Sequence, residues 1–411
     1  MRDLLPEQVE RRRWVMDRIR GTYLRYGFEE IETPALEDLR YLQSDSGQGG
    51  ENEKLIFQIL RRGVDLAQAH QVRDLTDYGL RFDLTVPLAR YYATNEPKLR
   101  SPFRSFHTGP VWRAERPQRG RYRQFTQCDI DILGEESVMA EAELVAATAD
   151  ALRAVGLEEF RIRFNDRRLL VQLLAACGFP EASHADVLIT VDKIDKVGLD
   201  GVEQMLRDIP EYPTAAVDAL VKVLADAQAI SGDAQAIAPI LPTGVDEALL
   251  AGLKEIITAV SEQSPTPVAA LVDITLVRGM GYYTGPVFEI EAPGLSSSIA
   301  GGGRYDEMIG RFLGRRVPAC GFSIGFERLC EILQAQDEAA VRRLALLYRD
   351  EDPKGPVLRE ARALRDEGYV VVPVRVTGRG KGIYGKLAAA GYAFVKQALA
   401  EQPPRALHDA P

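Results

Sequence analysis

Val111-Trp112-Arg113-Ala114-Glu115-Arg116-Pro117-Gln118-Arg119-Gly120-Arg121-Tyr122-Arg123-Gln124-Phe125 lies between two strand-like runs, 103–116 and 122–133. Its reading decides the fold: two strands joined by a turn containing Pro117 and Gly120, a hairpin rather than a βαβ unit. From Arg104 to Arg123 six arginines stand against one acid, Glu115, in a chain of net charge −9. A solvated hairpin is the plain alternative. Against it, strand alternation puts Arg121 and Arg123 on one face, and Arg113 beside Glu115 on one face. A guanidinium held on a sheet face suits bidentate contact with phosphate, and a neighbouring carboxylate can fix it there.

Working outward, 7–26 repeats apolar residues at helical spacing (Val9, Trp14, Val15, Ile19, Tyr23, Leu24), and Gly27 is a natural C-cap. A strand over 28–33 stops at Pro34, and 44–53 reads as a polar, Gly-rich mobile loop. Runs 54–60 and 78–84 suggest an antiparallel pair, 87–95 a helix, and 141–156 an Ala/Leu-rich helix. From 168 to 260 short amphipathic segments dominate, a helical insertion. Strands return over 269–275, 286–292 and 297–301, and 321–334 reads as a closing helix. The remainder alternates βαβα over 344–348, 356–367, 370–376, 385–391 and 394–395. The fold class is therefore α+β: an antiparallel sheet with segregated helices, an insertion and a small α/β C-terminal domain.

A length of 411 residues allows two or three domains, and 46% hydrophobic with 27% charged residues excludes a disordered, collagen-like or coiled-coil chain. A pI near 5.3 argues by itself against nucleic acid, but the arginine island shows that the global value conceals a local one. Residues 341–411 add a second basic region, 13 basic against 8 acidic side chains, or +5, which leaves −14 for the rest. Four cysteines without a CxxC pair, no apolar signal core and no run near the roughly 18 apolar residues of a membrane span predict a cytoplasmic protein with no membrane partner. The four histidines show no metal-ligand spacing, and no P-loop, GxGxxG fingerprint or GxSxG elbow occurs. The expected chemistry is anion-directed and free of a side-chain nucleophile.

Three further segments fit that chemistry. Leu276-Val277-Arg278-Gly279-Met280-Gly281-Tyr282-Tyr283-Thr284-Gly285 combines a cation, planar rings and flexible backbone; a turn with core tyrosines is its plain alternative. Ala300-Gly301-Gly302-Gly303-Arg304-Tyr305-Asp306 is a weak signal alone, since many glycine runs are loops. Gly321-Phe322-Ser323-Ile324-Gly325-Phe326-Glu327-Arg328 could bring a helix start and a cation to a nucleotide, or be ordinary helix packing.

Together these segments, in this order over roughly 1–335, resemble the class II aminoacyl-tRNA synthetases, and among them the histidyl-tRNA synthetases. The stretch around Pro34 is similar to the first class II motif, which builds a dimer interface; 113–127 is similar to the second and 321–328 to the third; 278–283 and 301–306 resemble the two histidine-specific motifs. The resemblance implies a catalytic core in two parts, 1–167 and 261–335, split by the insertion 168–260 and followed by an anticodon-binding-like domain at 341–411. It implies ATP and Mg²⁺ as cofactors, histidine and tRNA(His) as partners, a homodimer, and formation of histidyl-adenylate before transfer to tRNA. Arg113 and Arg278 correspond to the catalytic arginines on the α-phosphate, and Arg328 to one at the γ-phosphate. Glu115 and Arg121 correspond to further ATP-binding positions. Asp83, Thr85 and Gln127 correspond to positions holding the α-amino group of histidine; Asp131, Tyr282, Tyr283 and Tyr305, with Arg278, to the rest of the histidine site. Gln118 and Arg123 correspond to residues near the acceptor end of tRNA. No residue is expected to ligate a resident metal.

Two features depart from the family pattern. Gly281 stands where an acid is usual, and the C-terminal domain is short, with no evident counterpart of a final strand and helix. Two alternatives therefore remain beside the ligase: a synthetase-like regulatory subunit of ATP phosphoribosyltransferase, which binds histidine without charging tRNA, and a paralogue that activates an amino acid for another acceptor.

Overall fold

The structure, a computed structural model, describes residues 2–43, 54–63, 75–116, 122–230, 234–278, 283–295, 298–333, 342–377 and 382–407. The loop expected over 44–53 lies outside them. The chain divides into two compact units, Met1–Leu333 and Gln334–Pro411.

In chain order the first unit holds β1 (Glu29–Ile31), β2 (Leu36–Asp38), β3 (Gln58–Leu60), β4 (Thr76–Leu80), β5 (Phe103–Trp112), β6 (Gln124–Leu133), β7 (Arg161–Asp166), β8 (Ala269–Val272), β9 (Pro286–Glu291), β10 (Ala300–Arg304) and β11 (Ala319–Gly325). Eight form one sheet in the order β1-β5-β6-β11-β10-β9-β7-β8. Its five central pairings are antiparallel, and only the edges, β1 on β5 and β8 on β7, are parallel. The hairpin is its spine: β5 and β6 pair without a break from Phe103↔Leu133 to Trp112↔Gln124.

Strand alternation divides the sheet into two faces. Phe106, Cys128, Ile130, Ile132, Phe288, Phe322 and Ile324 point into the main core, where Val15, Ile19 and Tyr23 of the helix Pro6–Arg25 and Leu144, Ala147 and Ala151 of the helix Met139–Ala154 cover them. Each large apolar side chain fully buried there contributes about 1.5–3 kcal/mol. The first helix opens on Pro6, whose missing N–H costs nothing at that position, and ends before Gly27, whose φ of 80° suits a residue without a Cβ. The helix Met139–Ala154 is tied to the sheet by a buried fork, Arg304 Nε and Nη2 donating to Glu141 Oε1 and Oε2 at 2.6 and 2.8 Å.

The chain travels from β7 to β8 through the helices Arg167–Cys177, His184–Val191, Ile194–Arg207, Thr214–Ala229 and Glu247–Gln263. Leu173, Val187, Leu220 and Ile256 of these helices join the same apolar cluster as the sheet. No helix among the described residues is long and apolar enough to cross a membrane.

Several elements of the first unit differ from the sequence expectation, among them the short β2, which was not expected. The helix expected over 321–334 begins only at Phe326, because Gly321, Ser323 and Gly325 alternate with buried Phe322 and Ile324, a period of two that makes β11. The strand expected over 297–301 lies further on, as β10, so the glycine run belongs to the sheet and not to a loop. β7 was not expected at all, since Arg161 and Arg163 interrupt its apolar run; they alternate with buried Ile162 and Phe164.

The second unit consists of β12 (Arg343–Tyr348), the helix Lys354–Asp366, β13 (Val370–Arg375), the helix Ile383–Ala389, β14 (Phe394–Gln397) and β15 (Arg405–Ala406). Its sheet runs β13-β12-β14-β15, with β12 parallel to both neighbours and β15 antiparallel to β14. The two-residue β15 is a closing strand that the sequence did not disclose.

The glycines of β10 carry a stability test. A Cβ on Gly302 would lie 2.1 Å from the Gly321 carbonyl oxygen and 2.7 Å from the Phe288 ring, neither of which can yield cheaply. Gly302→Ala is expected to lower the Tm by about 4 °C or more in a thermal melt, on a scale of about 2–4 °C per kcal/mol. Gly252→Ala, inside the helix Glu247–Gln263 with open space around it, is expected to leave the Tm unchanged or raise it.

Candidate active site

A groove of about 1780 Å³ crosses the polar face of the central sheet. Arg113 follows β5 directly, and its N–H donates to the Arg123 carbonyl at 2.9 Å, which carries the hairpin one step beyond the sheet. Its guanidinium lies 4.4 Å from the Phe82 ring centroid and 5.1 Å from that of Phe125, and its Nε donates to the Phe82 carbonyl at 3.2 Å. Two aromatic faces thus hold a cation at the groove without neutralising it. Glu115 also lines the groove, and its carbonyl accepts from Arg123 Nε at 3.1 Å. Arg123 itself is exposed and not part of the lining. Gln118, Arg121 and Tyr282 lie outside the described residues.

Arg278 and Arg328 meet at one residue. Arg278 Nη2 donates to Ser298 Oγ at 2.7 Å and pairs with Glu289 of β9; Arg328 Nη1 donates to the Ser298 carbonyl at 2.6 Å. Gly301 on β10 packs beside this guanidinium, with Arg278 Nη1 at ordinary contact distance from its Cβ position. Arg328 stands near the start of the helix Phe326–Ile332, and the residue before it anchors that start. Buried Glu327 accepts from Arg12 at 2.5 and 2.8 Å and from the Thr126 N–H at 3.1 Å, joining the first helix, β6 and this last helix.

The middle of the groove is acidic. Asp131 on β6 accepts from the Tyr305 hydroxyl, and Gly321 opposite has no Cβ because one would fall 2.0 Å from Asp131 Oδ1. Loss of water pushes the Asp131 carboxyl up to about 7, opposed by the Tyr305 bond. Asp129, two residues earlier, is pushed well above the usual carboxylate range by burial and then by Asp131. Asp83 is raised by burial, against the Val86 N–H (3.1 Å) and the Arg113 charge; it sits just before the helix Thr85–Asn95. Gln127 donates from Nε2 to Ser323 Oγ at 3.4 Å.

The structure brings Arg113, Glu115, Arg278 and Arg328 to one groove with Asp83, Thr85, Gln127, Asp131, Tyr283 and Tyr305. Sequence reasoning missed Asp129, Glu289, Ser298 and Ser323. Asp129 was findable, since it shares the strand period of Gln127 and Asp131; Glu289 and Ser298 act through cross-strand register and a loop, which no linear pattern displays.

A family model described as histidyl-tRNA synthetase matches residues 1–329. The chain is 47% identical over 419 residues to a histidine–tRNA ligase of Leifsonia xyli subsp. xyli, a match covering 99% of this chain and 96% of that one. It superposes on the crystal structure of a histidyl-tRNA synthetase from Nostoc sp. PCC 7120 with a TM-score of 0.77 at 25% identity, covering 96% of this chain and 89% of that one. A Bacillus halodurans C protein described as an ATP phosphoribosyltransferase regulatory subunit/histidyl-tRNA synthetase superposes with a TM-score of 0.75 at 23% identity, over 98% and 97% of the two chains, and shares the fold.

The buried acid gives a check that needs no substrate. Asp131 binds its proton more tightly folded than unfolded, so its ionisation weakens the fold progressively as pH rises from about 4 to about 7, and fully above. Asp131→Asn keeps an acceptor for Tyr305 and removes that cost. Its Tm is expected to exceed that of the wild type by on the order of 5 °C at pH 8, with the gap closing as the melts are repeated toward pH 5.

Proposed function

The chain belongs to the histidyl-tRNA synthetase family, and from that premise we propose that the groove joins histidine to ATP as histidyl-adenylate and then transfers histidine to tRNA(His). The observation that carries this reading is the convergence of Arg113, Arg278 and Arg328 on the groove that also contains the Asp131–Tyr305 pair. A carboxylate oxygen of histidine attacks the α-phosphorus of ATP, the bond to the bridging oxygen breaks, and pyrophosphate leaves. An acceptor hydroxyl of the tRNA then attacks the activated carbonyl, and AMP leaves. Neither step requires a protein nucleophile. The chain supplies alignment and positive charge where the α-phosphate gains negative charge, the task of Arg113 and Arg278. Arg328 meets the γ-phosphate, and Glu115 with Arg121 the remainder of the nucleotide. Glu289 and Ser298 orient Arg278 before substrate arrives.

Asp83, Thr85 and Gln127 take the α-amino group, while Asp131, Tyr282, Tyr283 and Tyr305 line the imidazole end. An acid and a phenol can satisfy both ring nitrogens, and an analogue without them leaves buried polar groups unpaired. ATP enters as its Mg²⁺ complex, whose ligands are largely phosphate oxygens and water. Among the described residues no group of three or more His, Cys, Asp or Glu side chains is disposed to hold a metal. The core is read as 1–167 with 261–335, interrupted by 168–260. Residues 341–411, net +5, supply the basic surface for the anticodon end, with Gln118 and Arg123 toward the acceptor end. The match to a ligase, over 99% of this chain, includes the C-terminal unit. A cytoplasmic location is consistent with a reaction that consumes histidine, ATP and tRNA.

A homodimer is supported by the small sheet β2-β4-β3, which follows Pro34 and leaves Leu36, Ile59 and Tyr78 exposed at 48, 36 and 51%. The double variant Leu36→Glu/Tyr78→Asp is expected to halve the mass in light scattering; an unchanged mass would remove this face as the interface.

Histidine-dependent ATP–pyrophosphate exchange followed by histidine transfer to tRNA tests the reaction. Both are expected. Exchange without transfer points to another acceptor, and no exchange to a histidine-binding regulator. Arg278→Ala is expected to reduce the exchange rate about 10²-fold or more, the scale of removing one transition-state charge donor.

A further inference from the structure

Beneath the groove, β5 and β6 present one polar face. Ser105, His107 and Gly109 stand opposite Asp131, Asp129 and Gln127, and Gly321, Ser323 and Gly325 of β11 flank the same three residues on the other side. Four buried polar atoms on this face have no hydrogen-bond partner among the described residues: Ser105 Oγ, His107 Nδ1, Gln127 Oε1 and Asp129 Oδ1. Buried polar atoms are normally paired, so four on adjacent positions call for a ligand or for water. Gln127 Oε1 and Asp129 Oδ1 can only accept when Asp129 is ionised, and Asp83, which receives the Val86 N–H on one oxygen, is a third acceptor in the lining.

Two guanidinium charges lie near this face, but neither donates to its free acceptors. Arg113 is held by Phe82 and Phe125. Arg81 is buried and donates to the Pro110 carbonyl and to the carbonyl and hydroxyl of Thr33. His107, pushed down to about 3 by burial and by Arg81, is neutral. Cys128 behind the sheet is pushed up by burial and stays a thiol. Ser323 bonds the Asp129 carboxylate and receives Gln127 Nε2, which turns Gln127 Oε1 toward the same space. What fits is a compact cation with several donors, an ammonium group.

We propose that Asp129 makes the pocket demand a protonated α-amino group: its free Oδ1, with Gln127 Oε1 and the Asp83 carboxylate, receives the ammonium of the amino acid substrate. The assignment rests on the reading of the groove as a histidine site and adds to it the residue that rejects acids lacking the amine.

Isothermal titration of the full chain at pH 8 tests this with two ligands, histidine and 3-(imidazol-4-yl)propanoate, which lacks the amine. In the wild type, histidine is expected to bind more tightly. Asp129→Asn is expected to weaken histidine by about 10-fold or more, the worth of one charge-assisted hydrogen bond, while the propanoate changes less than about twofold. In exchange kinetics the loss falls on KM for histidine more than on kcat, because the ammonium is held equally in ground and transition states. Equal weakening of both ligands, or unchanged histidine affinity, overturns the assignment and leaves the histidine site standing. If the Asn variant does not fold, the wild type decides alone: a propanoate that binds as tightly as histidine overturns it. A wild type that binds no histidine overturns the reading of the groove and this assignment with it.

Discussion

The register of β5 against β6 is the constraint on which the rest depends. Side chains alternate along a strand, so one register sends Cys128, Ile130 and Ile132 into the core and Gln127, Asp129 and Asp131 into the groove. A slip of one residue would bury three polar side chains under the helices and expose the apolar three. The apolar face pins the register through ten consecutive pairs, and the groove takes its geometry from that pinning. The site costs stability locally, with acids pushed up by burial and polar atoms without partners, and the opposite face offsets it.

The glycines of β10 and β11 follow from the same constraint. Gly302 faces the core side, where the Gly321 carbonyl and the Phe288 ring leave no room for a Cβ. Gly321 faces the groove, where a Cβ would fall on the Asp131 carboxylate. Absence of a side chain at Gly321 is thus a functional volume: it is the space that the acid occupies.

The hairpin, the first helix, the β3–β4 pair and the alternation of the second unit were legible because each is a local pattern of apolar period and turn residues. The family motifs made Arg113, Arg278, Arg328, Asp83, Gln127, Asp131 and Tyr305 legible, and the structure lines one groove with them. What stayed hidden has physical reasons. Gly321 to Gly325 carries helix-compatible small residues, and only burial on alternate positions makes it a strand. β7 conceals its apolar face behind two arginines that ion pairs satisfy: Arg163 binds Asp273 at 2.7 Å and Glu291 at 2.6 Å. Ser298 is legible only in space, since its two arginines lie 20 and 30 residues away along the chain. The net charge misled because it averages over units of opposite sign.

Glu327 joins Arg12, at the beginning of the chain, to Thr126 and to the helix that bears Arg328, across 315 residues of sequence. That clamp has a consequence for synthesis. At about 5–20 residues per second, the first helix leaves the ribosome well before the segment that completes its contact. Until residue 327 emerges, Arg12 lacks its carboxylate, Thr126 its acceptor and Arg328 its footing, although the hairpin beside them can already have formed. A chain stopped short of residue 327 therefore has the strand that carries Asp129 and Asp131 without Arg328 at the other end of the groove. Competence arrives late in translation, when the last-made helix of the first unit closes on the first-made one.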